Sequence, residues 1–189
     1  MCIRDRFIAA TKHKVNHNGL EYWVPRHGGN PFTAYNPTDE VVSVGPIRFV
    51  PGVVVVHPGP LREYVVDRLI VPDAGLYAVT GGFAGADTRG ALTDVYVVLD
   101  GSTIFSGVVD GFGSASRVSF SFTQYLPAGA TLDFMVGTNG VDYLQDATTV
   151  SARITAVPEP ATLPMLAGGL AVLALAARRG RCSIGTSDA

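Results

Sequence analysis

The sequence predicts an all-β fold: a jelly-roll-like antiparallel β-sandwich followed by one short C-terminal transmembrane helix. Three observations carry that expectation. Short β-branched runs recur between residues 41 and 156, with turn residues about every 8–12 positions. No window in that interval sustains the spacing of an amphipathic helix. After residue 157 the chain changes character, to an apolar run closed by arginines.

Composition agrees. With 189 residues there is room for one domain of about 150 residues and a tail. Charged residues make up 16%, below the ~25% of an average soluble domain, while 22 glycines and 12 prolines favour turns. The formal charge of -2 is spread without runs, so no basic face for nucleic acid is expected. Cys2 and Cys182 stand at opposite ends and offer neither a disulfide framework nor a metal cluster.

Residues 1–40 read as an irregular N-terminal segment, with Gly19, Gly28, Gly29, Pro31 and Pro37 breaking any period. Its aromatics include Tyr22 and Trp23, the only tryptophan. Such rings either pack on the sandwich from an N-terminal strand or form an exposed platform for sugar rings. On the second reading Tyr22 and Trp23 are candidate ligand contacts.

Residues 41–156 read as the β-sandwich domain. Runs at 41–44, 47–50 and 53–57 are separated by Gly45-Pro46 and Pro51-Gly52. Strands follow over 64–71 and 76–83, split by Pro72-Asp73-Ala74-Gly75. Asp100-Gly101 joins runs at 95–99 and 102–108. A two-residue Asp-Gly link marks a hairpin, since a type I′ turn needs positive φ at both positions. Val118, Phe120 and Phe122 alternate with Ser119, Ser121 and Thr123, as in a half-buried strand. Pro127-Ala128-Gly129 leads into 131–136, and 148–157 closes the domain after a polar loop at 137–147. In total nine or ten strands are expected. The shared turn phrase, an apolar residue and Pro before an Ala-Gly pair, is similar to turns of carbohydrate-binding and C1q-like jelly-roll domains, a likeness that bears on fold.

Candidate chemistry is sparse. The histidines are His13, His17, His27 and His57, and neither a Gly-x-Ser-x-Gly elbow nor a His-Glu-x-x-His pair occurs. His57, before Pro58-Gly59, reads as a structural or exposed turn residue. Asn139 and Asp142 in the polar loop are further candidate ligand contacts, and Asp142 and Asp146 read as solvated acids. Outer-face Ser and Thr lack the regular repeat of an ice-binding array. The chain therefore reads as a non-enzyme, with no cofactor and no metal.

The C-terminal pattern is tripartite. Val157-Pro158-Glu159-Pro160 holds the backbone extended and lacks two N–H donors. Residues 163–177 carry no charge and favour helix. Their length, ~22 Å at ~1.5 Å per residue, falls short of a ~30 Å hydrocarbon core, which suits a temporary hold better than a permanent anchor. Arg178, Arg179 and Arg181 stay with the anionic cytoplasmic leaflet.

This ordered pattern resembles the PEP-CTERM sorting signal of bacterial exported proteins, a tail also named the ice-binding protein C-terminal domain. The resemblance covers residues 157–181, with 182–189 continuing beyond. It implies recognition by an exosortase, a sorting transpeptidase, and membrane anchoring through the helix until processing. The implied destination is the cell envelope or an extracellular matrix rich in polysaccharide, itself a candidate partner. An exported chain should open with a signal peptide. Here Met1-Cys2-Ile3-Arg4-Asp5-Arg6 is charged and Phe7-Ile8-Ala9-Ala10 is shorter than a ~7–15-residue apolar core, so the start is expected to be a truncation.

Overall fold

The computed structural model describes residues 12–25, 29–158 and 173. The chain divides into two compact units, Met1–Val157 and Pro158–Ala189. In the second unit Pro158 and the helical, exposed Leu173 are described. The rest of the expected helix, with Glu159, Pro160, Arg178, Arg179 and Arg181, lies outside the described residues. Among the described residues no helix is long and apolar enough to cross a membrane.

The first unit is an antiparallel β-sandwich of thirteen strands among the described residues. They are β1 (Lys12–His17), β2 (Leu20–Pro25), β3 (Phe32–Tyr35), β4 (Val42–Val44), β5 (Ile47–Phe49), β6 (Val54–His57) and β7 (Val65–Ile70). The rest are β8 (Gly75–Gly85), β9 (Ala91–Leu99), β10 (Ser102–Gly111), β11 (Val118–Leu126), β12 (Thr131–Val136) and β13 (Thr148–Ala156). A seven-stranded sheet runs β1-β2-β3-β6-β13-β8-β11, and a four-stranded sheet runs β10-β9-β12-β7. The β4–β5 hairpin forms its own two-stranded sheet, joined to the segment after β8 by an isolated antiparallel bridge between Ile47 and Asp87.

The count exceeds nine or ten because of β1–β3, in the segment expected to be irregular. Asn18 and Gly19 both take positive φ (52° and 78°), a two-residue turn that folds β1 onto β2. β3 then pairs with β2 and β6, extending the larger sheet. Asp100 and Gly101 likewise have φ of 46° and 82°, joining β9 to β10 as the Asp-Gly signal predicts.

Alternation sets what each sheet buries. Val79 and Phe83 of β8, Phe120 of β11 and Val150, Ala152 and Ile154 of β13 point inward. They meet Val95 and Val97 of β9 and Leu132, Phe134 and Val136 of β12. Phe120 is the hub, with ring centroids 5.7 Å from Phe83, 5.5 Å from Phe105 and 5.8 Å from Phe134. The two similar turn phrases meet at one point. Gly129 N–H donates to Val71 O at 2.8 Å, Val71 N–H donates to Ala130 O at 2.9 Å, and Val71, Leu126 and Ala130 pack together.

A second apolar layer lies on the outer face of the larger sheet. Leu20, Tyr22, Phe32, Ala34 and Val55 are covered by Phe49, with Val42, Val44 and Ile47 of the β4–β5 hairpin packed around them. Buried Asn36 fixes the chain's approach to this hairpin, its Nδ2 donating to Glu40 O and Phe49 O, both at 2.8 Å. The far side is tied by Arg48 N–H to Ala86 O and Thr88 N–H to Pro46 O, both at 3.0 Å.

Candidate functional site

The hairpin covers only part of the larger sheet. Beyond it the outward positions in the middle of β8, β11 and β13 are small or polar, while Leu76 and Tyr125, paired at one end of β8 and β11, are exposed. Thr80, Ser119, Ser121 and Arg153 are exposed, and Ser151 is half-buried. Val118, Phe120, Ala152 and Ile154 alternate with them on the core side, so the pattern that fills the core also leaves a hydroxyl-bearing face outside.

At the step between hairpin and open sheet lies a groove of about 350 Å³. Val41, Arg48 and Val50 form its hairpin wall, Thr149 and Ser151 belong to its floor, and Phe112 and Arg117 close the other side. It adjoins a second hollow of about 380 Å³, which shares Arg117 and Ser151 and adds Thr80 and Arg153. Among the described residues no carboxylate lines either hollow.

Arg117 is held by hydroxyls. Its Nε donates to Ser119 Oγ at 3.2 Å and its Nη2 to Ser151 Oγ at 3.4 Å. Gly82 makes this possible, because a Cβ there would lie 3.1 Å from the guanidinium carbon and 2.7 Å from Val118 O. Thr149 Oγ1 donates to Ala84 O at 3.0 Å and Ser151 Oγ to Gly82 O at 3.2 Å. Both hydroxyls thereby spend their proton on the sheet and keep acceptor capacity for the groove.

The predicted contacts lie elsewhere. Tyr22 is a correction: it is buried beneath the hairpin, with ring centroids 5.5 Å from Phe32 and 5.9 Å from Phe49. Burial pushes its phenol up to about 12, and the ring is no platform for a sugar. Trp23, next along β2, is half-buried. Asn139 takes φ of 49° and donates its backbone N–H to Asp94 Oδ1 at 2.6 Å. Asp142 accepts the Leu144 N–H at 2.8 Å within its own loop. None of the four lines the groove.

Three other polar clusters are structural. Asp94 Oδ2 accepts the hydroxyls of Tyr64 at 2.7 Å and Tyr96 at 3.1 Å, clipping β9 to the approach to β7. The hydrogen bond to Asp94 raises the Tyr64 phenol, and burial followed by the same bond raises that of Tyr96. Arg68 grips Asp133 through two bonds of 2.7 Å. His57 is buried between Phe32 and Tyr143, with Nδ1 2.9 Å from Pro58 O. Burial lowers its pKa, so the ring is a neutral donor to backbone near pH 7. Asp146, expected to be solvated, is buried with Oδ2 unpartnered among the described residues, and desolvation pushes it up to about 7. Among the described residues no three His, Cys, Asp or Glu side chains gather as metal ligands would.

At the end of the domain β13 stops at Ala156, Val157 N–H donates to Leu76 O at 2.8 Å, and the second unit begins at Pro158. Residues 156–181 match the PEP-CTERM protein-sorting motif. The chain carries that sorting signal. A PEP-CTERM signal marks an exported protein processed at the cell envelope. Comparison with curated proteins finds no match. Among solved structures the chain is similar to a CBM51 from Clostridium perfringens GH95 in complex with methyl-galactose. That likeness has 15% identity and a TM-score of 0.38, covering 61% of this chain and 78% of that one. A native family 35 carbohydrate-binding module from Clostridium thermocellum has 13% identity and a TM-score of 0.38, over 62% and 88%. Rabbit GITRL has 17% identity and a TM-score of 0.34, over 49% and 73%. All three scores fall below 0.5, and the fold described above rests on the strand pairing of this chain itself.

Proposed function

We propose that this chain is a non-catalytic exported protein that an exosortase sorts to the cell surface or surrounding matrix. The single observation that supports this reading most is the sorting motif, beginning where the β-sandwich ends. On this reading Val157, Pro158, Glu159 and Pro160 enter the transpeptidase as an extended peptide, for which two prolines are suited. Residues 163–177 hold the chain in the inner membrane until processing, with Arg178, Arg179 and Arg181 on the cytoplasmic side. His57 is buried and bonded through Nδ1 to backbone, with no nucleophile bonded to it among the described residues, which favours a non-enzyme. Intact mass of the full chain from a host with the matching exosortase, compared with a host lacking it, tests the reading. Cleavage near Pro158 is expected only in the first host. Replacing Pro158, Glu159 and Pro160 by alanine should leave the uncleaved species, and equal processing of that variant would sink the proposal.

A second reading concerns what the domain does on arrival. The groove beside Phe112, with hydroxyls along its floor, favours a polysaccharide ligand, because aromatic faces and hydroxyl acceptors together match a sugar ring. Retention of the full chain in affinity electrophoresis through matrix polysaccharide would support it, and free migration through every glycan would end it.

A further inference from the structure

The polysaccharide reading leaves the class of glycan open, and the charge of the groove narrows it. Arg48, Arg117 and Arg153 line the two adjoining hollows, with no carboxylate among the lining residues. Arg68 and Arg89, by contrast, are each paired with an aspartate, Asp133 and Asp87, at 2.7 Å. Arginines that have no ion-pair partner among the described residues, gathered around one concave surface, raise its positive potential, and a guanidinium fork matches a carboxylate better than any neutral group. This occurs on a chain whose formal charge is -2, so the concentration of arginines is local.

The geometry adds orientation. Arg117 has two of its nitrogens on Ser119 and Ser151. Its fork is therefore fixed in place before any ligand arrives, which lowers the ordering cost of binding. Phe112, 38% exposed, supplies an apolar wall at the same end of the groove. Thr149 and Ser151 offer acceptor oxygens between the arginine-bearing walls. A ligand that satisfies all of these carries carboxylates, a ring face and hydroxyl donors.

We propose that this groove binds an acidic polysaccharide, a chain bearing uronic-acid carboxylates. Arg48 and Arg117 take the carboxylates, Phe112 takes a ring face, and Thr149 and Ser151 accept sugar hydroxyls. The inference rests on the polysaccharide reading above. An acidic peptide such as polyglutamate would satisfy the arginines and could donate backbone N–H groups to the hydroxyls, but it brings no ring face to Phe112.

Isothermal titration of the full chain at low salt with oligogalacturonate, a neutral galacto-oligosaccharide of equal length and polyglutamate tests the proposal. Oligogalacturonate should bind, and the neutral chain should bind at least about ten-fold more weakly. Arg117→Gln and Arg48→Gln, both at exposed positions, should each weaken oligogalacturonate binding about 10- to 100-fold. Phe112→Ala, which changes no charge, should weaken it a few-fold. Arg62→Gln removes an exposed arginine that lines neither hollow and should leave affinity unchanged. An equal loss in Arg62→Gln would mean diffuse attraction and overturn the site. Neutral and acidic glycans bound alike would overturn the acidic specificity and leave the polysaccharide reading standing. No binding to either glycan would end both. Polyglutamate bound as tightly as oligogalacturonate would put an acidic protein in the groove and overturn the glycan assignment.

Discussion

Replacing Asp146 by asparagine should stabilise the protein at alkaline pH and do almost nothing at acid pH. Asp146 is 2% exposed. Its Oδ1 accepts the Leu92 N–H at 3.3 Å, while Oδ2 has no partner among the described residues. Loss of hydration disfavours the charged form, the Leu92 bond opposes that, and the carboxylates of Asp142, Asp94 and Asp87 add repulsion. The pKa rises from an ordinary 3.8 to about 7. Below 3.8 the group is protonated in both folded and unfolded chains and contributes no pH dependence. Between 3.8 and about 7 the unfolded chain releases the proton and the folded one keeps it, so stability falls as pH rises. At ~1.4 kcal/mol per pH unit, that interval gives a ceiling of roughly 4 kcal/mol. Asparagine keeps an acceptor for Leu92 and cannot ionise. Urea unfolding of both full chains, followed by the fluorescence of Trp23, measures the difference against pH. The variant should match the wild type near pH 4 and exceed it by roughly 3 kcal/mol at pH 8. The lowered pKa of His57 acts in the opposite direction, costing stability as pH falls, but it is common to both proteins and cancels in the difference. A difference independent of pH, or a variant less stable at pH 8, would refute the reasoning.

Two further predictions test the packing. Phe120→Ala empties the centre of the Phe83, Phe105 and Phe134 cluster and should cost about 3–5 kcal/mol in urea unfolding; a loss below about 1 kcal/mol would show that the sheets close over the gap. Gly137→Ala would set a Cβ 2.5 Å from Asp94 Oδ1 and against the Tyr64 ring, forcing open the clip between β9 and the approach to β7. It should cost about 1–3 kcal/mol and lower the thermal midpoint, and an unchanged midpoint would mean the clip carries no stability.

The sequence by itself determined the elements whose local chemistry leaves no alternative. Alternation at Val118–Phe122 assigns inner and outer faces because side chains on a strand repeat every second residue. Asp100-Gly101 sets the register of β9 and β10, since few residue pairs tolerate positive φ twice in succession. Asn18-Gly19 carries the same signal, and reading it the same way would have found β1 and β2. Polar residues such as Lys12, His13 and Lys14 masked that hairpin, as they do on strands at a sheet edge. The ordered motif, apolar run and arginine cluster of the tail are also a local pattern, and local patterns survive without a fold.

Tertiary structure alone decided burial and the groove. Tyr22 looked available because nothing near it in the chain covers it; Phe49, twenty-seven positions later by residue number, does. Asp146 sits in a polar loop by composition, yet backbone from β9 closes over it. The groove assembles Arg48, Phe112, Arg117 and Ser151 from separate elements, with no spacing between them for a periodicity to reveal. What brings them together is the placement of the β4–β5 hairpin on only half of a sheet face, a choice made by packing energy across the whole domain rather than by any run of residues.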